Sequence, residues 1–241
     1  MITYMVFTDK GGREINEDAA CVYEKNGQKC LILCDGLGGH GKGEVASALV
    51  VDVFGQIFNS TSTMDESFLH NAFCAAQDAL MAEQESQNAK ADMKTTAVGM
   101  YIEGNNVQWG HIGDSRLYAF AKNKVKLRTL DHSVPQMLAF AREIKEKQIR
   151  NHPDRNRLLR VMGIEWEKPM YELAQPTHLE DYQAFLLCSD GFWELIEEKQ
   201  MCKLLKASST VEEWVQAMVE VVRKNGSGKN MDNYTAIAVW C

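Results

Sequence analysis

Leu31-Ile32-Leu33-Cys34-Asp35-Gly36-Leu37-Gly38-Gly39-His40-Gly41-Lys42-Gly43-Glu44 is an apolar run that ends on one aspartate and enters a glycine-rich turn. Four apolar residues in succession predict a buried strand. Asp35 then stands where a core strand reaches the surface, held by a rigid element. The glycines after it permit backbone conformations that other residues avoid, and they let main-chain carbonyls approach a ligand closely. A strand-to-helix turn with a locally capping aspartate explains the stretch equally well in isolation, because Asp and Gly are common turn residues. The rest of the chain separates the two readings. Phe185-Leu186-Leu187-Cys188-Ser189-Asp190-Gly191 repeats the device, and Asp232-Asn233 precedes a last apolar run, Tyr234 to Trp240.

Outward from that stretch, Ile2 to Phe7 and Ala19 to Tyr23 read as strands, and Asn26-Gly27 is a hairpin signal leading into the strand that ends at Asp35. Helical spacing of apolar residues follows from Gly43 to Phe58 and again from Asp65 to Gln87. Thr95 to Ile102, Asn106 to Ile112, Arg116 to Ala121 and Lys124 to Leu130 then read as strands. Their connections are short enough for antiparallel pairing and too short for helical crossovers. Ser133 to about Pro169 is polar and basic, with one helix expected over Val134 to Gln148, and reads as an excursion over the sheet. Gln183 to Cys188 is a further strand. Helices are expected at Glu197 to Leu205 and Val211 to Lys224, the second opened by a Thr210-Val211-Glu212-Glu213 capping box. Elements in blocks with hairpin connections predict one α+β domain over residues 1–241, with antiparallel sheets and outer helices.

At 241 residues with 45% hydrophobic and 24% charged residues, the chain can bury a sizeable core. A net charge of -7 argues against nucleic acid or an anionic membrane as the main partner. The first residues lack a basic stretch followed by a long apolar one, and no apolar run approaches membrane-spanning length, so a cytoplasmic location is expected. Seven scattered cysteines without a Cys-x-x-Cys read as reduced, buried thiols rather than a zinc site.

The chemistry lies in the carboxylates. Asp35, Asp190 and Asp232 stand at strand boundaries, and Asp114 and the pair Glu17-Asp18 have similar settings. If those strand ends converge, five or six carboxylates meet, and that many cannot stay ionised together without cations. An all-oxygen, thiol-free set suits Mg2+ or Mn2+. Two such ions are a known arrangement for in-line attack on phosphorus. Arg13, close to Glu17-Asp18, offers the planar donor geometry that holds a phosphate. Each element alone has an ordinary explanation as a turn, a solvated loop or a surface arginine; the joint order does not.

Arg13-Glu14-Ile15-Asn16-Glu17-Asp18, Asp35-Gly36-Leu37-Gly38-Gly39-His40, Thr95-Thr96, Gly113-Asp114-Ser115-Arg116, Leu130-Asp131-His132-Ser133, His152-Pro153-Asp154-Arg155-Asn156, Ser189-Asp190-Gly191 and Asp232-Asn233 occur in an order that resembles the type 2C, metal-dependent serine/threonine protein phosphatases in their compact bacterial form. The resemblance runs essentially end to end. It implies an α-β-β-α sandwich of two antiparallel sheets flanked by helices, with a flap at about 133–169. It implies that Asp35 bridges two metal ions and positions the bridging water, with the Gly36 carbonyl on one ion and Asp190 and Asp232 on the other. Asp114 would serve a third, weaker ion. Asp18 and Glu17 would act directly or through water, Asn233 would support the metal ligands, and Arg13 would bind the phosphate. The implied reaction is direct hydrolysis of phosphoserine or phosphothreonine in proteins by the metal-bridging water, without a phosphoenzyme. The implied partners are phosphoproteins and a cognate serine/threonine kinase, and the implied state is a monomer.

Three positions depart from the family pattern. Leu37 occupies the place of a histidine that the wider family has directly after Asp-Gly. His40, displaced along the loop, is kept as a catalytic candidate beside a plainer role as a loop side chain, with water on a third metal as the alternative proton donor. Lys94 stands where a glycine usually precedes Thr95-Thr96, and Phe140 to Lys145 lacks an expected glycine. Two rival functions stay open at the sequence level: a catalytically inactive phosphoprotein-binding module, and a small-molecule phosphoester hydrolase.

Overall fold

The computed structural model describes residues 2–38, 42–61, 67–90 and 92–241; His40 lies outside them. The chain runs β1 (Thr3–Asp9), β2 (Asp18–Lys25), β3 (Gln28–Leu37), α1 (Gly43–Ser60), α2 (Phe68–Ser86), β4 (Lys94–Thr95), β5 (Ala97–Glu103), β6 (Asn106–Ile112), β7 (Arg116–Ala121) and β8 (Lys124–Arg128). It continues through α3 (Val134–Phe140), a 3-10 helix (Glu146–Asn151), β9 (Glu172–Leu173), β10 (Thr177–His178), β11 (Ala184–Cys188), α4 (Asp190–Trp193), α5 (Glu198–Ala207), α6 (Val211–Gly226) and β12 (Tyr234–Trp240). One sheet has the order β1-β12-β11-β7-β8. The other has the order β10-β6-β5-β3-β2, with β4 on β3 and β9 on β6. The strand pairs are antiparallel.

Side-chain alternation along the strands builds four layers. On β3, Leu31 and Leu33 point between the sheets, where they meet Val98, Leu117, Phe185, Leu187 and Ile237. Cys30, Ile32 and Cys34 point the other way, onto Val50, Phe54 and Phe73 of α1 and α2. On β11, Phe185 and Leu187 face the inter-sheet layer, while Leu186 and Cys188 face Trp214, Met218 and Val222 of α6. Both aspartate-terminated strands are therefore buried on both faces, which is why they read as unbroken apolar runs. The seven cysteines are free thiols, Cys30, Cys34 and Cys188 being fully enclosed.

Three local expectations need correction. The strand expected from Thr95 to Ile102 is interrupted at Thr96, whose N–H donates to the Asp35 carbonyl (2.9 Å) and whose hydroxyl accepts from the Asp35 N–H (3.0 Å). The helix expected over Val134 to Gln148 stops at Phe140. Arg142 takes a left-handed φ of 61°, and the Glu143 N–H turns back to the Leu138 carbonyl (2.9 Å). The arginine thus adopts the conformation that a glycine would supply in the segment where the family pattern expects one. At α6, Thr210 caps the helix as expected, its Oγ1 accepting from the Glu213 N–H (3.2 Å). Glu213, however, returns a bond to the Ser209 N–H (2.7 Å) and not to that of Thr210, so only the second half of the capping box is displaced. The hairpin at Asn26-Gly27 has φ of 53° and 81°, the turn its sequence demands.

Candidate active site

The cleft lies where the inter-sheet layer runs out of apolar side chains. Asp35 continues the inward-facing series Leu31, Leu33; Asp18, opposite it in the strand register, continues Ala20 and Val22. Thr96 continues Val98, Ser189 continues Leu187, and Thr235 and Asn233 continue Ile237. Strand periodicity therefore carries polar side chains into the position that core residues fill further along. A cavity of about 210 Å³ opens there, and Glu17, Asp35, Asp114, Asp190 and Asp232 line it with Arg13, Gly36 and Asn233. Asn156 and Leu158, from the 133–169 excursion, complete the wall.

Each aspartate is fixed through its backbone. The Asp35 carbonyl accepts from Thr95 Oγ1 (2.8 Å), and Thr96 Oγ1 in turn contacts Ser115 Oγ (2.7 Å). Gly36 donates to the Glu17 carbonyl (3.1 Å). A Cβ at Gly36 would stand 2.3 Å from the Gly43 carbonyl oxygen, and one at Gly191 would stand 2.1 Å from that of Asn233. Close backbone approach is therefore the reason that glycine follows both Asp35 and Asp190. The Asp114 carbonyl accepts from Trp193 Nε1 (3.0 Å). Asn233 uses its whole amide: Oδ1 accepts from the Glu17 N–H (2.8 Å), and Nδ2 donates to the carbonyls of Lys10 and Ile15 (3.0 Å each). It thereby holds the loop that carries Arg13 and Glu17 against the start of β12.

The carboxylates disfavour one another's charge. Burial raises the pKa of Asp35 well above the carboxylate range, and Asp190, Asp18, Asp114 and Asp232 push it further. Burial first, then Glu194 and Asp232, push Asp190 up to about 7. Asp114 is raised by burial and by Asp190. Asp18 sits behind the cleft wall. Its Oδ2 accepts from Ser189 Oγ (2.8 Å), its Oδ1 is buried without a hydrogen-bond partner, and burial raises its pKa to about 6. Arg13 Nη2 pairs with Asp232 Oδ2 at 2.8 Å on the open side. A crowded, partly orphaned, all-oxygen donor set of this kind fits hard divalent cations.

Of the residues singled out in the sequence, the fold brings Arg13, Glu17, Asp35, Gly36, Asp114, Asp190, Asp232 and Asn233 onto one cavity, with Asp18 immediately behind. Sequence reasoning assigned no role to Asn156, Leu158 or Ser189. Ser189 follows the apolar run of β11 in the inward register, and that parity is the signal that could have found it. The two flap residues carried no such signal.

Among the described residues, His111, His132 and Glu172 form a second cluster of potential ligand atoms, all within 4.8 Å of one another. His132 Nδ1 accepts from the Gly113 N–H (3.1 Å), while the His132 N–H donates to the Gly113 carbonyl (2.9 Å). The two rings stack at 4.7 Å and 6°. Parallel ring planes keep their lone pairs from converging; His132 holds the turn that presents Asp114, while His111 Nε2 donates to the Leu130 carbonyl (2.8 Å).

An anionic oxygen cleft with a guanidinium at its lip defines the class of phosphohydrolases that work with divalent cations. The comparisons narrow that class. Residues 11–234 match the protein phosphatase 2C family. The serine/threonine phosphatase stp of Listeria monocytogenes serotype 4b (strain F2365) is 31% identical over 239 residues, covering 96% of this chain and 93% of that protein. The crystal structure of Stp1 from Staphylococcus aureus is similar with a TM-score of 0.89 and 29% identity, covering 100% of this chain and 95% of that one. A catalytic domain of the phosphatase PstP, in complex with two manganese ions, is similar with a TM-score of 0.80 and 27% identity, covering 99% and 97% of the two chains. The chain belongs to the protein phosphatase 2C family, which is metal-dependent.

Proposed function

We propose that this chain is a single catalytic unit that hydrolyses phosphoserine and phosphothreonine in proteins, with residues 133–169 as its flap. In this reading it works as a cytoplasmic monomer that opposes a serine/threonine kinase. The observation that carries the reading is the convergence of five carboxylates and Arg13 on one cavity, on a fold whose matched relatives are serine/threonine phosphatases. Among the described residues, no helix is long and apolar enough to cross a membrane.

Asp35, Asp190, Asp232 and the Gly36 carbonyl would hold two Mn2+ or Mg2+ ions, and Asp114 with Asp190 a third. Asp18 and Glu17 would act through water or directly. Bound there, the cations would neutralise phosphoryl charge and make water nucleophilic at neutral pH. The chain's own residues do the rest. Arg13, half-exposed and held to Asp232 by one contact, would orient the phosphate through paired N–H donors. Ser189 holds the Asp18 carboxylate, Thr96 holds the Asp35 backbone, and Asn233 keeps Arg13 and Glu17 at the lip. Direct hydrolysis fits a cleft whose described lining offers no serine, cysteine or histidine nucleophile.

The test is manganese-dependent release of phosphate from a phosphothreonine peptide, compared with nucleotides and sugar phosphates. Turnover of the peptide in preference to the small esters is expected. Metal-bound protein that turns over none of them would leave a binding module, and preference for a small ester would make it a small-molecule hydrolase. Arg13→Ala is expected to raise KM for the peptide by roughly tenfold to a hundredfold, the scale of charge-assisted hydrogen bonds to a phosphate.

A further inference from the structure

The cleft does not end at Asp190 and Asp232. A groove of about 330 Å³ shares Arg13, Asn156, Asp190 and Asp232 with it and runs on to Arg150 and Asn151 of the 3-10 helix. Those two residues also line a third hollow, of about 640 Å³, bounded by β8, the 3-10 helix and the start of α5. The three spaces adjoin in sequence through shared lining residues, with the basin on the far side of Arg150 from the carboxylates.

The basin is cationic on a chain whose net charge is -7. Five basic residues line it against three glutamates; Arg116 is committed to the buried Asp131 behind the wall, so the excess positive charge is that of Lys147 and Lys199 on the rim. Arg128 is engaged by Glu146, and Arg150 Nη2 donates to Glu198 at 3.0 Å. Arg150 Nη1, however, is buried without a hydrogen-bond partner, over the face of Trp193. A buried guanidinium N–H without an acceptor is costly, and because Arg150 lines both groove and basin, a turn of its side chain towards an anion in the basin would remove the cost. Lys147 and Lys199, exposed on the rim, form no ion pair among the described residues.

We infer that this basin takes an anionic side chain, carboxylate or phosphoryl, on the same polypeptide whose phosphorylated residue occupies the cleft. The inference rests on the phosphatase reading above and extends it to substrate choice: phosphosites with an acidic residue at the matching distance are favoured. The succession of shared lining residues, from Arg13 and Asp190 to Arg150 and Asn151, places the basin beside the path of a polypeptide leaving the cleft. For that reason the proposed occupant is a substrate chain rather than a free anion. Arg150 sits at the junction and supplies the unsatisfied donor, while Lys147 and Lys199 draw the anion in.

The experiment uses the full chain with Mn2+ and a set of phosphothreonine peptides. One has neutral flanks, one series walks a glutamate along each flank, and a third carries a non-hydrolysable phosphonate analogue of phosphoserine at the favoured position. The readout is the ratio of kcat/KM between each acidic peptide and the neutral one. At the matching position the ratio is expected to be about tenfold, larger for the phosphonate if a dianion fits, and to shrink with added salt. In Arg150→Gln and in the rim double variant Lys147→Glu/Lys199→Glu, it should fall towards one. The rim variant alters only exposed side chains and so reports even if Arg150→Gln disturbs packing on Trp193. A ratio of one at every position in the wild type, with both peptides turned over, overturns the inference and leaves the phosphatase reading standing. A preference that survives in both variants places the recognition elsewhere and also overturns it. Absence of turnover of any phosphopeptide overturns the phosphatase reading and this inference together.

Discussion

Two arginine–aspartate pairs, chemically identical, sit on either side of the catalytic end of the sandwich. Arg116 grips Asp131 with two parallel hydrogen bonds of 2.8 and 2.7 Å, both side chains no more than 3% exposed. It stacks on Trp193 at 3.4 Å and donates to Tyr118. Arg13 meets Asp232 through one contact of 2.8 Å, with the side chains 48% and 40% exposed. The buried pair has spent its desolvation cost and cannot release either partner without stranding a charge. The open pair is screened by water, contributes little to stability and can be exchanged. A charge pair inside the wall is structural. The same pair at the lip is exchangeable, as the proposed roles of Arg13 towards a phosphate and Asp232 towards a cation require.

Removing one member of each pair should separate the two roles. Asp232→Asn is expected to lower kcat by roughly a thousandfold, the several kcal/mol that positioned cations supply, while changing unfolding free energy by no more than about 0.5 kcal/mol. Steady-state kinetics and a urea titration measure the two quantities, and a large loss of stability would break the contrast. Arg116→Ala should do the reverse, costing about 3–5 kcal/mol in the same urea titration because Asp131 is left buried with only the longer Arg128 contact of 3.6 Å.

Acid should also weaken the buried side. Burial, and then the stacked His111, lower the His132 pKa to about 4. An unfolded histidine titrates near 6.5, so between these values the unfolded chain binds the extra proton. Stability carried by His132 is therefore fully present above about pH 6.5 and is lost as pH falls towards 4, by on the order of 3 kcal/mol. Comparing the pH dependence of unfolding in wild type and His132→Gln tests this, and equal slopes would refute it. The smallest effect belongs to a third arginine. Arg142→Gly removes a side chain from a left-handed turn at φ 61° and should stabilise the fold by roughly 0.5–1 kcal/mol, strain relief being partly offset by the freer unfolded chain.

The layered fold was legible because its decisive strands are buried on both faces. Leu31 to Cys34 and Phe185 to Cys188 announce themselves by composition alone. The cleft was legible because each strand leaves the core on a polar residue in the inward register, and Gly36 and Gly191 mark the backbone crowding beside it. What stayed hidden depends on contacts far apart in sequence. The break at Thr96 is made by Asp35, and the early end of α3 by an arginine doing the work of a glycine. Asn156 and Leu158 reach the cleft from an excursion that has no periodicity to betray which residues point inward. The basin around Arg150 joins β8, the 3-10 helix and α5, three segments whose charges look like ordinary surface until they share a hollow.

The central claim is that Asp35 and its neighbours form a site for divalent cations. Calorimetric titration of metal-stripped protein with Mn2+, in the wild type and in Asp35→Asn, tests it most directly. The account predicts that the wild type binds a pair of ions and that Asp35→Asn, folded to the same extent by circular dichroism, loses the binding of both. Undiminished Mn2+ binding in Asp35→Asn would contradict it.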